Sequence, residues 1–333
     1  DFAQAPTNAH ISEYTPETGF SIVAETQGNE LDQAKTLEVI SNAVEELKGL
    51  VNLDAEGCYE TPAVTSDSEE LQNTLQKLQK YGTVTITYRF GDNIEVLDGS
   101  TISTWLEVDG FAVTLDQTQV ENYVATLRKK YDSIFRSRTF MTSYGKEITV
   151  DGGDYGWWMN YQQEAKELAA QIETGESGER TPVYYQTAAS YGAPDYGDTY
   201  VEINLTAQHL FFYKDGQLVM ESDFVSGNSA RGYDTPEGTY SITYKQRNAT
   251  LVGENYETPV SYWMPFNKNI GMHDATWRSS FGGTIYKTKG SHGCINMPYE
   301  KAQELYGYIE KGTPVICYHL AGTERSTESE LEK

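Results

Sequence analysis

The chain has 333 residues, of which 38% are hydrophobic and 12% aromatic, and it carries a formal net charge of -24 at pH 7. This length exceeds one ordinary hydrophobic core, so we expect two or three domains, and the apolar content is sufficient for folding despite the acidity. The negative charge argues against nucleic acid and against an anionic membrane surface as partners, because both would repel such a protein.

No apolar run in the sequence approaches the roughly 18 residues of a membrane span, and no signal-peptide core is present. Because the first residue is Asp1, we expect a processed or truncated chain whose signal or anchor lies upstream. The cysteines, Cys58, Cys294 and Cys317, are too few for a disulfide framework, and their odd number leaves at least one free thiol. Cys317 alternates within an apolar run and is expected in a core, whereas the state of Cys58 stays open.

Strands and amphipathic helices alternate in the N-terminal half of the chain. After an irregular lead-in over residues 1–18, alternation predicts a strand over 20–24, and apolar residues at three- and four-residue spacing predict a helix over 31–47. Ser66 has the capping-box spacing to Glu69 and opens a helix that ends at Gly82. The same reasoning predicts strands over 83–90, 94–97 and 148–150 and helices over 114–134 and 158–172.

The sequence also resembles itself at an offset of 128 residues, at which Leu31 aligns with Met159. Both copies end in a loop that contains Tyr and Pro. We therefore predict a duplicated α+β module, with a partial first repeat over residues 1–64, whose opening half is missing, and a second repeat over 65–190. The alternative is that strand–loop–helix units resemble one another by chance.

The second half of the chain predicts a β-rich domain. A segment rich in Gly, Ala, Ser and Tyr precedes it, and we place a linker over residues 191–197. Asp215-Gly216 between two alternating runs predicts a hairpin, and Pro298 in a first turn predicts a helix that ends before Gly312. We expect a domain over 198–320 and a disordered tail over 321–333, with strands over 200–204, 209–213, 218–222, 238–244 and 315–318 and one helix over 298–310.

Ser291-His292-Gly293-Cys294-Ile295-Asn296 places a thiol among small and polar residues, and seventeen residues separate this motif from His273. A thiol is a useful nucleophile only as the thiolate, which is scarce near neutral pH at an ordinary pKa of about 8.5. His273 is the candidate base that accepts the Cys294 proton and returns it to a leaving amine. The predicted helix that follows would favour the thiolate through its N-terminal partial charge, and amides near Gly293 and Cys294 would bind an oxyanion.

At these residues the chain resembles the L,D-transpeptidases, the YkuD-type cysteine enzymes that cross-link peptidoglycan. The likeness also includes Thr235-Pro236-Glu237-Gly238 and covers about residues 198–319. The upstream module is similar to the peptidoglycan-binding repeats that precede this domain in some Gram-positive members. The fold class that the resemblance implies is multidomain, with α+β N-terminal repeat modules followed by a mostly β YkuD-type catalytic domain that has one helix after the active-site loop.

The resemblance implies a thioester mechanism in which Cys294 attacks the carbonyl of the third residue of a tetrapeptide stem and releases D-Ala. A side-chain amine of a neighbouring stem would then accept the acyl group, which gives a 3→3 cross-link. It further implies acylation of Cys294 by carbapenems, no cofactor and no metal. The enzyme would be secreted and would act in the cell wall, on the outer face of the cytoplasmic membrane, attached to the membrane only through an anchor outside this chain.

The site residues implied by the resemblance form a catalytic and a substrate-binding set. In the catalytic set His273 is the base for Cys294, the backbone carbonyl of Asp274 orients the His273 ring, and amides of the loop form the oxyanion hole. The full catalytic set is Cys294, His273, Asp274, His292 and Gly293, and the substrate-binding set is Ser291, Asn296, Tyr262, Trp277 and Arg278.

Several of these residues have alternative interpretations. His292 is as well explained by hydrogen bonds within the loop, and a zinc site formed by His273, His292 and Cys294 lacks a further pair at metal-ligand spacing. Tyr262 and Trp277 would either line a groove for the stem peptide or belong to a core. Arg278 would bind either a substrate carboxylate or a surface acid.

Two other functions compete with transpeptidation. Water in place of the amine would make the enzyme an L,D-carboxypeptidase, and another wall-peptide cysteine hydrolase is a related alternative. In papain-like and NlpC-type peptidases the nucleophilic Cys precedes the His, whereas here His273 precedes Cys294. A catalytically inert peptidoglycan-binding protein is the alternative from another class, and the presence of both residues argues against it.

Overall fold

The computed structural model describes residues 3–253 and 256–325 and divides the chain into two compact units. One unit comprises Asp1–Ala125 and Tyr161–Pro182, and the other comprises Thr126–Asn160 and Val183–Lys333. In the described part of the chain, no helix combines the length and apolarity needed to cross a membrane. The predicted bounds at 64, 190 and 197 remain predictions, and each unit is described by itself below.

The first half of the chain forms short sheets and five helices. From its start to the middle of the chain it contains β1 (His10–Ile11), β2 (Ile22–Val23), α1 (Gln33–Glu45), α2 (Glu69–Gly82), β3 (Ile86–Phe90), β4 (Asn93–Leu97), α3 (Gly99–Ser103), β5 (Leu106–Asp109), β6 (Ala112–Leu115) and α4 (Gln117–Tyr131). Then follow β7 (Arg138–Met141), β8 (Glu147–Val150), β9 (Trp158–Met159), α5 (Tyr161–Thr174), β10 (Gly178–Arg180) and β11 (Tyr184–Gln186).

The predicted helices α1 and α2 are present, but the helix predicted over 114–134 begins later. α4 starts at Gln117 because residues 112–115 form β6 and pair with β5 as a hairpin. The turn of this hairpin contains Asp109-Gly110, a dipeptide that favours tight hairpin turns. The helix predicted from Trp158 likewise starts at Tyr161, because Trp158 and Met159 pair with β11.

The two regions related by the 128-residue offset share their local geometry. Helices α1 and α5 begin at equivalent positions, directly after Asp32 and Asn160. The N–H of Asp32 donates to the Cys58 carbonyl (2.9 Å), and the N–H of Asn160 donates to the Val183 carbonyl (2.8 Å). The residue before each donor also pairs in antiparallel fashion with a tyrosine: Leu31 pairs with Tyr59, and Met159 pairs with Tyr184. We propose on this basis that the α+β module is duplicated.

The second half of the chain forms two larger sheets. Its elements are β12 (Tyr200–Asn204), β13 (His209–Lys214), β14 (Gln217–Asp223), a 3-10 helix (Ser229–Arg231), β15 (Gly238–Ser241), β16 (Gln246–Gly253), β17 (Tyr256–Asn267), β18 (Ile270–Asp274), α6 (Tyr286–Lys289), β19 (Ile295–Met297), α7 (Tyr299–Tyr308) and β20 (Pro314–Tyr318). One sheet has the order β14-β13-β12-β20-β15, and the other has the order β16-β17-β18-β19.

A hydrophobic core lies between these two sheets and helix α7. The five-stranded sheet contributes Ile203 and Phe212, the four-stranded sheet contributes Met272 and Ile295, and α7 contributes Leu305. All of them are almost fully buried, and a side chain of this size contributes about 1.5–3 kcal/mol when it is buried. This core fixes the two sheets face to face, and so fixes the strands that carry the site.

Residues 126–160 belong to this same compact unit. Phe140 on β7 and Tyr155 pack against Ile316 and Tyr318 on β20. The N–H of Tyr155 donates to the Thr239 carbonyl (3.0 Å). This unit is therefore discontinuous in sequence, because β7 packs against β20, which lies near the other end of the chain.

Two further expectations differ from the structure at the C-terminal end. A short helix, α6, precedes the cysteine motif in addition to the predicted α7. At the start of the predicted tail, the Thr323 hydroxyl contacts Asn204 (3.0 Å) and Arg325 contacts Asp223 (3.3 Å), so the chain is held in place as far as Arg325. The remainder of the predicted tail, 326–333, lies outside the described residues.

Candidate active site

Two neighbouring parallel strands place the histidine and the cysteine on one face of the four-stranded sheet. In the register of β18 with β19, Met272 lies opposite Ile295 and His273 lies opposite Asn296. Met272 and Ile295 are in the core. Because side chains alternate along a strand, His273, Asn296 and Cys294 all project from the other face. The candidate nucleophile and base therefore lie on the same face of the sheet and line one cavity, although 20 residues separate them in the sequence.

The His273 ring is buried and held through its Nδ1 atom. Nδ1–H donates to the backbone carbonyl of Asp274 (2.8 Å), which is the contact expected from the sequence. The Asp274 carboxylate is fixed in turn by the N–H groups of Ser261 and Tyr262, both at 2.8 Å. Burial lowers the pKa of His273 below its ordinary value, while the contact with Asp274 opposes this shift. The ring is therefore neutral, with the proton on Nδ1 and a lone pair on Nε2.

Asn296 connects His273 to Arg278. When its amide is oriented to satisfy both neighbours, the nitrogen donates to His273 Nε2 (3.1 Å) and the oxygen accepts from Arg278 Nε (2.8 Å) and Nη2 (3.2 Å). The guanidinium of Arg278 thus determines which way the amide points. The amide in turn keeps Nε2 in its unprotonated form, which is the form that can act as a base.

The Cys294 thiol is buried beside Trp263 and Val260. Burial raises the pKa of this thiol to about 11, and a backbone hydrogen bond from Gly271 opposes the shift. The Sγ atom lies 3.6 Å from the Asn269 carbonyl, and within the described residues it makes no hydrogen bond to His273. Burial therefore favours a neutral thiol and a neutral imidazole in the resting site over a thiolate–imidazolium ion pair.

The expectation that a helix would favour the thiolate is wrong. Helix α7 begins at Tyr299, and strand β19 separates it from Cys294. Three residues in extended conformation span about 10 Å, whereas the influence of a helix terminus falls off within its first turn. Burial is the dominant effect on the thiol instead.

The loop before Cys294 is closed by the hydroxyl of Ser291. This hydroxyl accepts from the N–H of Gly293 (3.0 Å) and donates to the carbonyl of Cys294 (2.6 Å). The Gly293 amide, expected in the oxyanion hole, is therefore engaged within the loop. The N–H of Cys294 has no acceptor among the described residues and is the better oxyanion donor. Gly293 itself has a φ of 117°, which side chains rarely permit.

Thr235 fastens this loop from another part of the chain, a role that the sequence did not indicate. Its hydroxyl donates to the carbonyl of Gly293 (2.7 Å) and accepts from the N–H of Gly227 (3.1 Å). Thr235 was identified only as part of the turn Thr235-Pro236-Glu237-Gly238. Because the hydroxyl belongs to this turn, the resemblance of the turn to the family was the feature of the sequence that could have indicated a role for Thr235.

A cavity of about 240 Å³ opens above His273 and Cys294. Trp277 lines it, is 51% exposed, and its ring lies 5.9 Å from the ring of His273. His292 is exposed at the rim, with its ring 4.6 Å from that of Tyr233. The structure thus brings together His273, Cys294, Asn296, Ser291, His292, Trp277 and Arg278 around one opening.

Tyr262 does not line this cavity, which corrects its expected role. Its side chain is only 2% exposed and packs in the core against Tyr306 of α7. The neighbouring residue of the same strand, Trp263, faces the site instead and lies 5.9 Å from the His273 ring. The reason is the alternation of side chains along β17, which the sequence did not predict as a strand.

A second cavity, of about 1050 Å³, shares Trp277 and Arg278 with the first. It is rich in positive charge although the chain is strongly acidic. The cationic side chains that line it are Arg278, Lys289, Lys301 and Arg325, and the carboxylates are Glu221 and Asp223. Over the residues described, 3–253 and 256–325, no group of three His, Cys, Asp or Glu side chains is placed to hold a metal ion.

Comparison with known proteins identifies both regions. A family model of the L,D-transpeptidase catalytic domain, YkuD, matches residues 198–317, and a model of a peptidoglycan binding domain matches residues 64–180. Together with the observed sheets, these matches confirm the expected fold class of a mostly β catalytic domain preceded by a peptidoglycan-binding domain. No curated protein matches the chain.

Two solved structures resemble most of the chain. The Ldtfm-avibactam carbamoyl enzyme is 36% identical, with 74% of this chain and 98% of that chain covered and a TM-score of 0.60. A Cys-to-Ser mutant of Enterococcus faecium L,D-transpeptidase is also 36% identical, with 74% and 100% covered and a TM-score of 0.60. Given this identity over nearly the full length of both relatives, the chain belongs to the L,D-transpeptidase family.

Proposed function

We propose that this enzyme forms 3→3 cross-links in peptidoglycan through a thioester on Cys294. The observation that carries the proposal is the placement of Cys294 and His273 on one face of two parallel strands, below a shared cavity. The donor is a tetrapeptide stem, the leaving group is D-Ala, and the acceptor is a side-chain amine of a second stem. The reaction is thus an acyl transfer between two peptides.

In the first half of the reaction the sulfur of Cys294 attacks the carbonyl carbon of the third stem residue. The thiol proton passes to Nε2 of His273, which exchanges its contact with Asn296 for this proton. The negative oxygen that forms is held by the N–H of Cys294. When the intermediate collapses, the carbon–nitrogen bond to D-Ala breaks, and His273 transfers the proton to the departing amine.

In the second half an amine of the acceptor stem attacks the thioester carbonyl. His273 removes a proton from this amine, the carbon–sulfur bond breaks, and the proton returns to the Cys294 sulfur. The neutral resting pair suits this cycle, because the enzyme begins and ends each turnover with a thiol and an imidazole. Transfer to an amine instead of water requires that the acceptor occupy the opening before water does.

The cationic cavity next to the site is suited to the carboxylates of a stem peptide. Arg278 belongs to both cavities, and Lys289 and Lys301 extend the positive charge away from Cys294. A guanidinium or ammonium group binds a carboxylate through charge-assisted hydrogen bonds. Trp277 presents its exposed ring between the two cavities, where it would contact the apolar stem of a bound peptide.

The family and the site also support partners and a location. The Ldtfm relative is described as a carbamoyl enzyme with avibactam. We propose that carbapenems likewise acylate Cys294, and that the enzyme works in the cell wall of a Gram-positive bacterium, where its substrate is. Intact-mass measurement after incubation with a carbapenem is expected to show a single adduct that is absent from Cys294→Ala.

The test of the proposed function uses a soluble disaccharide-tetrapeptide and mass spectrometry of the products. We expect loss of D-Ala together with a cross-linked dimer. Cys294→Ala is expected to abolish both products, whereas Cys58→Ala, which removes another buried thiol, is expected to retain them. Turnover by Cys294→Ala would disprove the thioester route.

The same measurement distinguishes the alternative reactions. Loss of D-Ala without a dimer would identify an L,D-carboxypeptidase. Absence of both products from folded wild-type protein, together with retention on peptidoglycan, would identify an inert binding protein.

A further inference from the structure

An exposed group of aromatic rings, which we call the aromatic platform, lies on strands β9 and β11 and the loop before β7. It consists of Phe135, Trp158 and Tyr185. The Trp158 ring lies 6.4 Å from Phe135 and 4.8 Å from Tyr185, so the rings form a continuous row. The three side chains are 69%, 36% and 53% exposed in the order Phe135, Trp158, Tyr185. Single exposed aromatics are ordinary, but three in mutual contact form an apolar patch.

Alternation along β9 separates a structural tryptophan from the exposed one. Trp157 is buried, its indole stacks on Tyr191 at 3.8 Å, and its Nε1–H donates to the Ser190 carbonyl (2.7 Å). Trp158 points to the opposite face and is not required for this packing. Packing in the core therefore explains why residue 157 is a tryptophan, but it does not explain why residue 158 is one.

Phe135 is held in an exposed and unfavourable conformation. Its φ is 60°, in the left-handed region that a bulky residue rarely adopts. Such a conformation persists only when the surroundings impose it, and it is typical of functional positions. The ring gains little from burial here, so packing does not explain why a phenylalanine occupies this position.

The loop that presents Phe135 is rigidly attached. The N–H groups of Ser133 and Ile134 donate to the Trp157 carbonyl at 3.0 and 3.1 Å, and the N–H of Trp157 donates to the Ser133 hydroxyl at 2.9 Å. Gly156 leaves room for this loop, because a side chain there would come within 2.6 Å of the Ile134 nitrogen. The ring is thus preorganised, which reduces the entropy lost when a ligand binds.

We propose that the aromatic platform binds the glycan strand of peptidoglycan by stacking against the faces of its sugar rings. The apolar C–H faces of a pyranose ring pack on aromatic faces, and a row of three rings suits an extended polymer. Phe135 and Trp158 lie within residues 64–180, which match the peptidoglycan binding domain, and Tyr185 lies five residues beyond the end of this range. This inference rests on the proposed function, because it requires that peptidoglycan be the substrate.

The platform belongs to the same compact unit as Cys294. Binding at the platform would therefore keep the catalytic site on one glycan strand while its stem peptides exchange. A neighbouring cavity of about 690 Å³ is lined by Arg136 and Lys130 among other residues, and Arg136 is exposed. The exposed guanidinium of Arg136 is suited to a carboxylate carried by the same polymer.

The test measures binding of the full chain to glycan strands freed of stem peptides by an amidase, with isolated stem peptides as the second probe. Wild type is expected to bind the glycan strands, and Trp158 fluorescence is expected to change on binding. Trp158→Ala and Tyr185→Ala are expected to weaken binding by about tenfold each. Phe111→Ala, which removes an exposed ring from the β5–β6 turn, is expected to leave binding unchanged.

Phe135→Gly separates recognition from stability. Glycine adopts a φ of 60° without strain, so the melting temperature is expected to stay equal or rise while glycan binding falls. A merely structural role for the ring would lower the melting temperature instead. Unchanged glycan affinity in Phe135→Gly and Trp158→Ala, or binding of wild type to stem peptides only, would overturn the inference.

The outcomes also keep the two proposals apart. Turnover of the soluble disaccharide-tetrapeptide is expected to be the same in wild type and the platform variants. If wild type cross-links this fragment but does not bind glycan strands, the platform proposal fails and the proposed function stands. If glycan binding depends on the platform but no cross-linking occurs, the proposed function fails alone.

Discussion

Replacing Thr235 with valine removes one hydroxyl that connects two backbone groups near Cys294. The carbonyl of Gly293 and the N–H of Gly227 both depend on this hydroxyl, at 2.7 and 3.1 Å. A buried backbone group without a partner costs about 1–3 kcal/mol, so we expect the free energy of unfolding to fall by about 3 kcal/mol. Catalysis is also expected to fall, because misplacing a reacting group by about 1 Å costs roughly a hundredfold in rate.

Thr239 provides the matched control for this substitution. It is also buried, but its hydroxyl oxygen has no hydrogen-bond partner among the described residues. Thr239→Val therefore removes a desolvated hydroxyl that bonds to nothing, and we expect stability to be unchanged or higher by up to about 1 kcal/mol. Thr235→Ser, which keeps the hydroxyl, is expected to recover most of the acylation rate.

The assay combines urea unfolding, followed by tryptophan fluorescence, with the rate of acylation by a carbapenem, followed by intact mass. Rates are compared per folded molecule, so that instability and misplacement of the loop are separated. If Thr235→Val and Thr239→Val had equal effects on both quantities, the argument that the Thr235 hydroxyl fastens the Gly293 carbonyl would be refuted.

Three further predictions concern the thiol, a buried carboxylate and a glycine. With a pKa of about 11, Cys294 is ionised in about one molecule in ten thousand at pH 7. The rate of its alkylation by iodoacetamide, measured against Cys294→Ala, should therefore increase tenfold per pH unit towards pH 11. A rate that already reaches a plateau near neutral pH would indicate a thiolate–imidazolium ion pair instead. Burial raises the pKa of Glu202 above its ordinary value of 4.5, which means that the folded protein favours the protonated carboxyl. The contribution of this group to stability is therefore lost as the pH rises above about 4.5. In thermal melts, Glu202→Gln should be stabilising at pH 7 but not at pH 4. Gly156→Ala should lower the free energy of unfolding in urea by more than about 2 kcal/mol, because the added methyl group would meet the Ile134 nitrogen. Gly110→Ala has open space around it and should lower the free energy of unfolding by only about 1 kcal/mol, through the strain of its positive φ. Similar losses in the two variants would contradict the steric reason.

The candidate catalytic residues could be predicted from the sequence more readily than the contacts that hold them in place. His273 and Cys294 follow from residue type and spacing, and the contact of His273 with the Asp274 carbonyl is where the resemblance placed it. The link from Asn296 to His273 depends on the register of two parallel strands, which is not a local property of the sequence. The hydroxyl of Thr235 reaches the loop from 56 residues before Ser291, and no periodicity indicates such a contact.

The errors have a common physical origin. Tyr262 was expected to line the groove, and the pKa of the Cys294 thiol was expected to be lowered. Both expectations depend on tertiary contacts, which the order of residues along the chain does not reveal. In the structure, the four-stranded sheet turns Tyr262 into the core and buries Cys294, so solvent exclusion decides both outcomes. Pro259 and Pro265 interrupt the alternation of β17, which explains why this strand was not predicted.

The discontinuous units have a consequence for how this protein could exchange parts with its relatives. The chain passes between the two units after Ala125, after Asn160 and after Pro182. A single recombination junction therefore cannot transfer one intact unit to another protein. A junction near residue 198 would separate β20 from Phe140 and Tyr155, which cover its outer face. Chimeras that respect all three crossings are the ones expected to keep both cores complete.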